Sequence, residues 1–122
     1  QEPAYHYALG QELRALRNKG VLIVGSGNIV HNLRLAVWRD QAFDWAIEFD
    51  RTIKDLILSG NHQSIVRYET LGRPAQLSIP TNEHFLPLLY ILALQEPNEQ
   101  VEFFAQKVTY GAISMRGVKI FS

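Results

Sequence analysis

The sequence predicts an α/β fold, a partly parallel sheet flanked by helices, on three observations. Four aliphatic residues, 21–24, end abruptly at Gly25, as in a short strand that is buried on both faces of a parallel sheet. Before them, residues 5–19 form an amphipathic helical pattern that Gly20 closes. After them, residues 43–59 repeat apolar side chains every three or four positions, which predicts a second helix. Helix, glycine and buried strand together are half of a right-handed crossover unit.

The middle of the chain is less regular. Residues 28–38 match neither the helical nor the strand period, so we expect an irregular segment with a short helical turn. Asn61 is expected to cap a further short helix that runs to residue 71. Residues 75–80 follow a Gly-Arg-Pro break and are predicted to be a loop or a short extended piece.

The C-terminal part is predicted to hold one buried helix and two strands. Residues 85–94 are apolar nearly all round, which is typical of a helix buried on most faces. Because Pro87 lacks an amide hydrogen, it is tolerated only near a helix start, so we expect the helix to begin near Asn82 or Glu83. Residues 101–121 alternate and are rich in Val, Ile, Phe and Tyr, which favours strands.

The composition excludes several classes of protein. Twelve basic and 12 acidic residues give no net charge, so we expect neither a nucleic-acid nor a membrane-surface partner. With no cysteine there is no disulfide and no thiolate metal site, and we expect a cytoplasmic protein. No apolar run approaches the ~20 residues that span a bilayer.

The length, 122 residues, fits one domain. A single buried parallel strand needs neighbours, and the sequence opens on Gln1 almost directly into a helix. We therefore expect residues 1–122 to be the C-terminal part of a longer chain or a cleavage product.

Two of the four histidines are candidates for chemistry. His31 follows the glycine-rich end of the predicted strand, the edge where α/β sheets bind ligands. His84, beside Glu83, opens the buried helix, and imidazole with carboxylate is a usual donor set for iron(II). The residues alone leave open the alternative that His31 is a hydrogen-bonded core residue and His84 only a helix-start residue. His6 and His62 fall on amphipathic or capping positions and are expected to be structural.

The turn at residues 25–27 does not match a nucleotide-binding or hydrolase motif. A dinucleotide fingerprint needs a third glycine where Val30 stands, and no Gly-Lys-Ser/Thr is present. Ser26 with His31 suggests a hydrolase, but Gly-x-Ser-x-Gly would require glycine at Asn28.

Three stretches and a closing pair of residues, in order and spacing, resemble one family. They are residues 25–33 (GSGNIVHNL), Trp45-Ala46 with Phe49, residues 80–89 (PTNEHFLPLL), and Ser114-Met115. The chain resembles, over nearly its whole length, the C-terminal half of the class III extradiol ring-cleavage dioxygenases, in their DOPA 4,5-dioxygenase branch.

That resemblance implies a mostly buried sheet flanked by helices, and one divalent ion, Fe(II) for turnover and often Zn(II) as found. It implies that His84 is a metal ligand and that His31 is a further ligand or the acid/base that moves the catechol proton. Glu83 is a second choice as ligand. Substrate binding is expected at Ser26 and Asn28, where the glycine-rich backbone can approach a ligand closely. The substrates would be a small aromatic diol such as DOPA, and dioxygen.

The chain departs from the family in one respect. The family's other metal histidines lie in an N-terminal His-Gly-Ser stretch and a Ser-Ala-His stretch, and neither is present. We therefore expect the remaining ligands to come from the missing N-terminal half, and the 122 residues alone to be inactive and unable to hold iron(II) tightly. Alternatives are a non-catalytic α/β binding domain of the same fold or a metal-dependent hydrolase.

Overall fold

A computed structural model describes all residues, 1–122, as a set of helices followed by two small sheets. The helices are α1 Pro3–Glu12, α2 Arg14–Arg17, α3 Asp44–Leu58, α4 His62–Val66, α5 Arg73–Ser78 and α6 Leu86–Ala93, with a 3-10 helix at Tyr68–Leu71. The strands are β1 Gln100–Phe104, β2 Val108–Thr109, β3 Ile113–Ser114 and β4 Gly117–Phe121. None of the helices has the length and apolar character that a membrane crossing requires.

The core is centred on α3, which packs against α5 and α4. Its buried stripe repeats at helical spacing and includes Ala46, Phe49, Ile53 and Ile57. Helix α6 adds Leu89 and Leu92 to the core and packs on α1, where Gly10 allows the two helices to approach closely. The helical pattern of residues 43–59 therefore predicted this element correctly.

The mixed helix and strand composition is as expected, but a partly parallel sheet is not found. The structure has two antiparallel pairs, β1 with β4 and β2 with β3. The one parallel pairing is an isolated bridge between Ala42 and Gly111. The predicted two C-terminal strands are thus four short ones, arranged as one hairpin inside another.

The prediction that residues 21–24 form a buried strand is wrong for this chain. These residues are in no strand, and Leu22 and Val24 are 86% and 78% exposed. The physical reason is that a strand exists only where a neighbour accepts its backbone hydrogen bonds, and the chain provides no neighbour for this segment. The aliphatic run favours burial, but the run alone does not determine whether a neighbouring strand is present to pair with it.

The smaller predictions had mixed outcomes. The first helix is present but is divided at Leu13 into α1 and α2. Asn61 caps α4 as expected, accepting a hydrogen bond from the Ser64 N–H at 3.2 Å. The helix does not run to residue 71, however: it ends at Val66, and Tyr68–Leu71 is a separate 3-10 helix. Of residues 75–80, expected as a loop or short extended piece, 75–78 instead belong to helix α5, because Pro74 lies in its first turn, where proline fits a helix.

The last helix begins later than expected. It starts at Leu86, not at Asn82 or Glu83, because residues 82–85 form a turn in which the Asn82 carbonyl accepts from two later N–H groups. Pro87 lies in the first turn, as the missing amide hydrogen requires. His84 therefore stands in the turn that precedes α6.

Candidate functional site

The fold brings His31 and His84 into contact. Their ring centroids are 3.7 Å apart and the ring planes are inclined by 22°, so the two imidazoles stack although 53 positions separate them in the chain. Both residues are partly exposed, and the His84 side chain keeps 42% of its surface accessible. A ligand could therefore reach the pair from solvent.

Backbone hydrogen bonds fix both histidines. The His31 N–H donates to the Ser78 carbonyl at 2.9 Å, and His31 also forms an antiparallel bridge with Ile113 of β3. The His84 carbonyl accepts from the Asn28 N–H at 2.8 Å. The stacking thus depends on the segment that follows the glycine-rich turn. This segment contains His31 itself, and its Asn28 holds the backbone of His84.

Gly27 is needed for this arrangement. A Cβ atom added to Gly27 would lie 2.2 Å from the His84 carbonyl oxygen, far inside van der Waals contact. Only glycine lets the two backbones come so close. The glycines of the turn therefore serve the packing of this segment on the start of α6.

The electrostatics favour a neutral His31. Burial, and then the neighbouring His84, hold the pKa of His31 below its ordinary value, because both disfavour a positive charge. Beside the pair, a Glu83 carboxylate oxygen lies 3.8 Å from His84 Nε2 and accepts a hydrogen bond from the Thr81 hydroxyl at 2.8 Å. The pKa of Glu83 is lowered by backbone and Thr81 hydrogen bonds, so this carboxylate is ionised at neutral pH.

The two residues expected to bind substrate differ in their surroundings. The Asn28 side chain is engaged, since its amide nitrogen donates to the Ser114 carbonyl at 2.8 Å. Ser26 is exposed and its hydroxyl makes no hydrogen bond within the protein. A groove of about 380 Å³ begins beside them and is lined by Asn28 and His84, but not by Ser26 or His31.

A buried polar network behind the site was missed in the sequence. Asp50 accepts a hydrogen bond from the Ser114 hydroxyl at 2.5 Å and pairs with the Arg116 guanidinium at 2.7 Å. The signal was present: Asp50 stands four residues after Ala46 and three before Ile53, on the apolar stripe of α3. An acid at such a position requires a buried partner.

The other two histidines lie in helix packing, as expected. His6 Nδ1 is 2.9 Å from the Tyr90 hydroxyl, and His62 Nδ1 is 2.7 Å from the Tyr7 hydroxyl. Each pair joins two helices, and neither histidine lines the groove beside His84.

The site offers part of a metal-binding set. Imidazoles suit iron(II) and zinc(II), so the stacked His31 and His84 are suitable donors, with the Glu83 carboxylate close by. No three His, Cys, Asp or Glu side chains of this chain form a group that could hold a metal ion. A facial iron(II) site takes three protein donors, so the residues present fit such an ion only as an incomplete set.

Comparison with known proteins identifies the family. The sequence profile of the LigB family, described as the catalytic LigB subunit of aromatic ring-opening dioxygenase, matches residues 1–120. The chain belongs to this family, which confirms the resemblance found in its motifs.

Individual proteins and a solved structure are also similar to this chain. The chain is 36% identical over 122 residues to a 4,5-DOPA dioxygenase extradiol of Escherichia coli (strain K12), and 31% identical over 119 residues to one of Beta vulgaris. These matches cover 96% and 97% of the chain but only 45% and 44% of the relatives. A crystal structure of an uncharacterized protein from Escherichia coli K12 matches with a TM-score of 0.89 at 33% identity, covering 97% of this chain and 50% of that one. The chain thus spans about half the length of the relatives it matches.

Proposed function

We propose that residues 1–122 are the C-terminal half of the catalytic domain of an extradiol dioxygenase that opens the ring of a DOPA-like catechol with dioxygen. Family membership and the names of the relatives support aromatic ring opening. The observation that carries the proposal within this chain is the contact of His31 with His84, two imidazoles from distant parts of the sequence. A purely structural histidine needs no such neighbour.

His84 is the proposed metal ligand of this half, with His31 as a further ligand or as the acid/base, and Glu83 as the second choice of ligand. The ion would be Fe(II), or Zn(II) as isolated, and its remaining donors would come from the half of the domain that this chain does not span. When bound, iron(II) supplies affinity for both catechol oxygens and the redox chemistry that dioxygen requires.

The proposed work of this chain's own residues is proton transfer and positioning. A His31 whose pKa is lowered is neutral near pH 7 and can accept the proton of a catechol hydroxyl. The exposed, unengaged hydroxyl of Ser26 would bind substrate. Asn28 would act mainly by holding the His84 backbone and β3, since its side-chain nitrogen is already engaged.

The decisive experiment is ring cleavage by the complete polypeptide with added iron(II), followed by the absorbance of the product. Loss of an iron ligand should reduce the rate at least ~100-fold in His84→Ala, because the outer supports of metal sites alone cost about 10–100-fold. His6→Ala is the matched control: it removes another partly buried histidine, and activity should change less than about threefold.

Three results would contradict the proposal. Equal activity of the His84→Ala and His6→Ala proteins would remove His84 from the site. Turnover that persists without dioxygen would favour the hydrolase, and absence of any turnover in the complete iron-loaded protein would favour a non-catalytic binding domain. For the isolated 122 residues we expect no stoichiometric iron(II) binding at sub-micromolar concentration, which a titration checks.

A further inference from the structure

Residues 21–27 form a segment whose backbone N–H and C=O groups are mostly without hydrogen-bond partners, and we call it the open segment. The Val21 N–H bonds to the Leu16 carbonyl, and the Asn28 N–H bonds to the His84 carbonyl. Between these two anchors, the six residues 22–27 donate and accept no hydrogen bond within the protein. An extended backbone edge of this length is what a neighbouring strand pairs with.

The side chains of the open segment are apolar on both faces. Leu22 and Val24 point to solvent, while Ile23 is partly buried and Gly25 lies against α6. A Cβ atom added to Gly25 would come within 2.9 Å of the Ile91 side chain. Alternation between faces is the geometry of a strand, and apolar residues on both faces fit a strand that is covered on both sides.

A second unpaired edge lies across the groove. Strand β4 pairs with β1 only, so one of its edges has no partner strand. Four consecutive β4 residues, 117–120, line the groove, and so do five consecutive residues of the open segment, 21–25. Because side chains alternate between faces, unbroken runs of lining residues indicate that the backbone edges themselves face the groove. Its remaining lining is mostly apolar and includes Leu88, Ile91 and Phe104.

We propose that this groove receives an extended, apolar strand from the half of the family domain that the chain does not span. The strand would pair with the open segment and with the free edge of β4, adding to both edges as in β-augmentation. The occupant follows from length: the matched relatives and the matched crystal structure are about twice as long as this chain. This inference rests on the proposal that the chain is half of a domain. It adds that residues 22–27 become a strand with neighbours only when the other half is present.

Hydrogen–deuterium exchange on the complete polypeptide and on the 122-residue chain tests the proposal without metal or substrate. The amides of residues 22–27 should exchange at nearly unprotected rates in the short chain and at least ~100-fold more slowly in the complete polypeptide, since pairing closes them to water. Equal exchange of these amides in both proteins would overturn the proposal. So would protection that appears in the short chain only as its concentration and its dimer fraction rise, because a second copy would then be the occupant.

Substitutions separate docking from folding. Leu22→Asp and Val24→Asp place a charge where the proposal needs an apolar face. In the complete polypeptide each should speed exchange of residues 22–27 at least ~10-fold, whereas Leu58→Asp, at an exposed leucine outside the groove, should not. In the 122-residue chain none of the three should lower the melting temperature by more than about 3 °C. Should Leu58→Asp act as strongly as the others in the complete polypeptide, the effect would be one of global stability and the proposal would fail.

The outcome is distinguishable from that of the ring-cleavage assay. Protection of residues 22–27 in a complete protein that cleaves no catechol would contradict the proposed activity and leave the docking intact. Ring cleavage by a protein whose residues 22–27 stay unprotected would contradict the docking alone.

Discussion

The stripe of α3 and the open segment are both strongly apolar, yet one is buried and the other is not. Phe49 and Ile53 are at most 1% exposed, in a helix that packs on α5 and α4, whereas Leu22 and Val24 are mostly in water. The difference lies in the partners and not in the residues: helix α3 makes its own backbone hydrogen bonds, while a strand must find them on a neighbour. An aliphatic run that favours a strand therefore stays exposed wherever no neighbouring strand accepts its backbone hydrogen bonds.

The largest expected difference in the free energy of unfolding is between two alanine substitutions, one in the α3 stripe and one in the open segment. Phe49→Ala removes a ring that packs near Phe85 in the core and should cost about 3–5 kcal/mol in the free energy of unfolding. Leu22→Ala, in the same 122-residue chain, should change it by less than about 0.5 kcal/mol. Urea denaturation followed by fluorescence measures both. A similar loss in the two variants would mean that the open segment is packed in solution.

The ion pair behind the site joins α3 to Arg116 on the wall of the groove, and its removal should be the next largest effect. Asp50→Asn leaves the buried Arg116 without its counter-charge and should cost about 3 kcal/mol, because an unpaired buried charge is expensive. The control is Asp40→Asn, which breaks the solvent-exposed pair with Lys107 and should leave the unfolding midpoint unchanged. Equal midpoints for the two variants would show that the Asp50 pair is also well solvated.

An intermediate effect is expected where the open segment meets the site. Gly27→Ala forces a Cβ against the His84 carbonyl and should cost about 2 kcal/mol as the backbones separate. The adjacent Ser26→Ala removes only an exposed hydroxyl without partners and should be neutral in the same denaturation assay. In the complete polypeptide, Gly27→Ala should also lower the ring-cleavage rate, because the Asn28 bond that holds His84 is disturbed. Unchanged stability in Gly27→Ala would indicate that the two backbones do not touch.

Helices that depend on local periodicity were the part of the fold that could be predicted. The 3.6-residue repeat of α3 gave its bounds within one residue, and the missing amide hydrogen of Pro87 correctly restricted it to a first turn. Helix α5 lies where the Gly72-Arg73-Pro74 break predicts a loop, because proline also suits a first helical turn. Pairing is long-range, so no local pattern indicates which edge a strand such as residues 21–24 will meet.

The site was predictable as a set of residues but not as an environment. The glycine-rich turn and the spacing of the motifs identified His31 and His84 as candidate site residues, and the fold brings their rings together. That Asn28 is committed to Ser114 could not be foreseen, since its partner is 86 residues away. Their roles as metal ligand and acid/base stay predictions.

The smallest expected effect concerns the Arg17–Glu99 ion pair, which lies beside the Leu16–Val21 hydrogen bond where the open segment begins. Arg17, at the end of α2 and on the wall of the groove, donates to Glu99 at 2.7 Å and holds the pKa of that carboxyl below its usual range. A carboxyl whose pKa is lower in the folded state contributes stability above its unfolded pKa and loses it as the pH falls through the folded value.

Glu99→Gln should therefore destabilise the 122-residue chain by about 1 kcal/mol at pH 7, since a bidentate charged pair near the surface is worth little more. The difference from the wild type should shrink as the pH falls below about 4.5 and vanish below the folded pKa of Glu99. Unfolding free energies of both proteins between pH 7 and pH 3 measure this. A difference that stays constant across that range would mean that the Glu99 charge does not stabilise the folded chain.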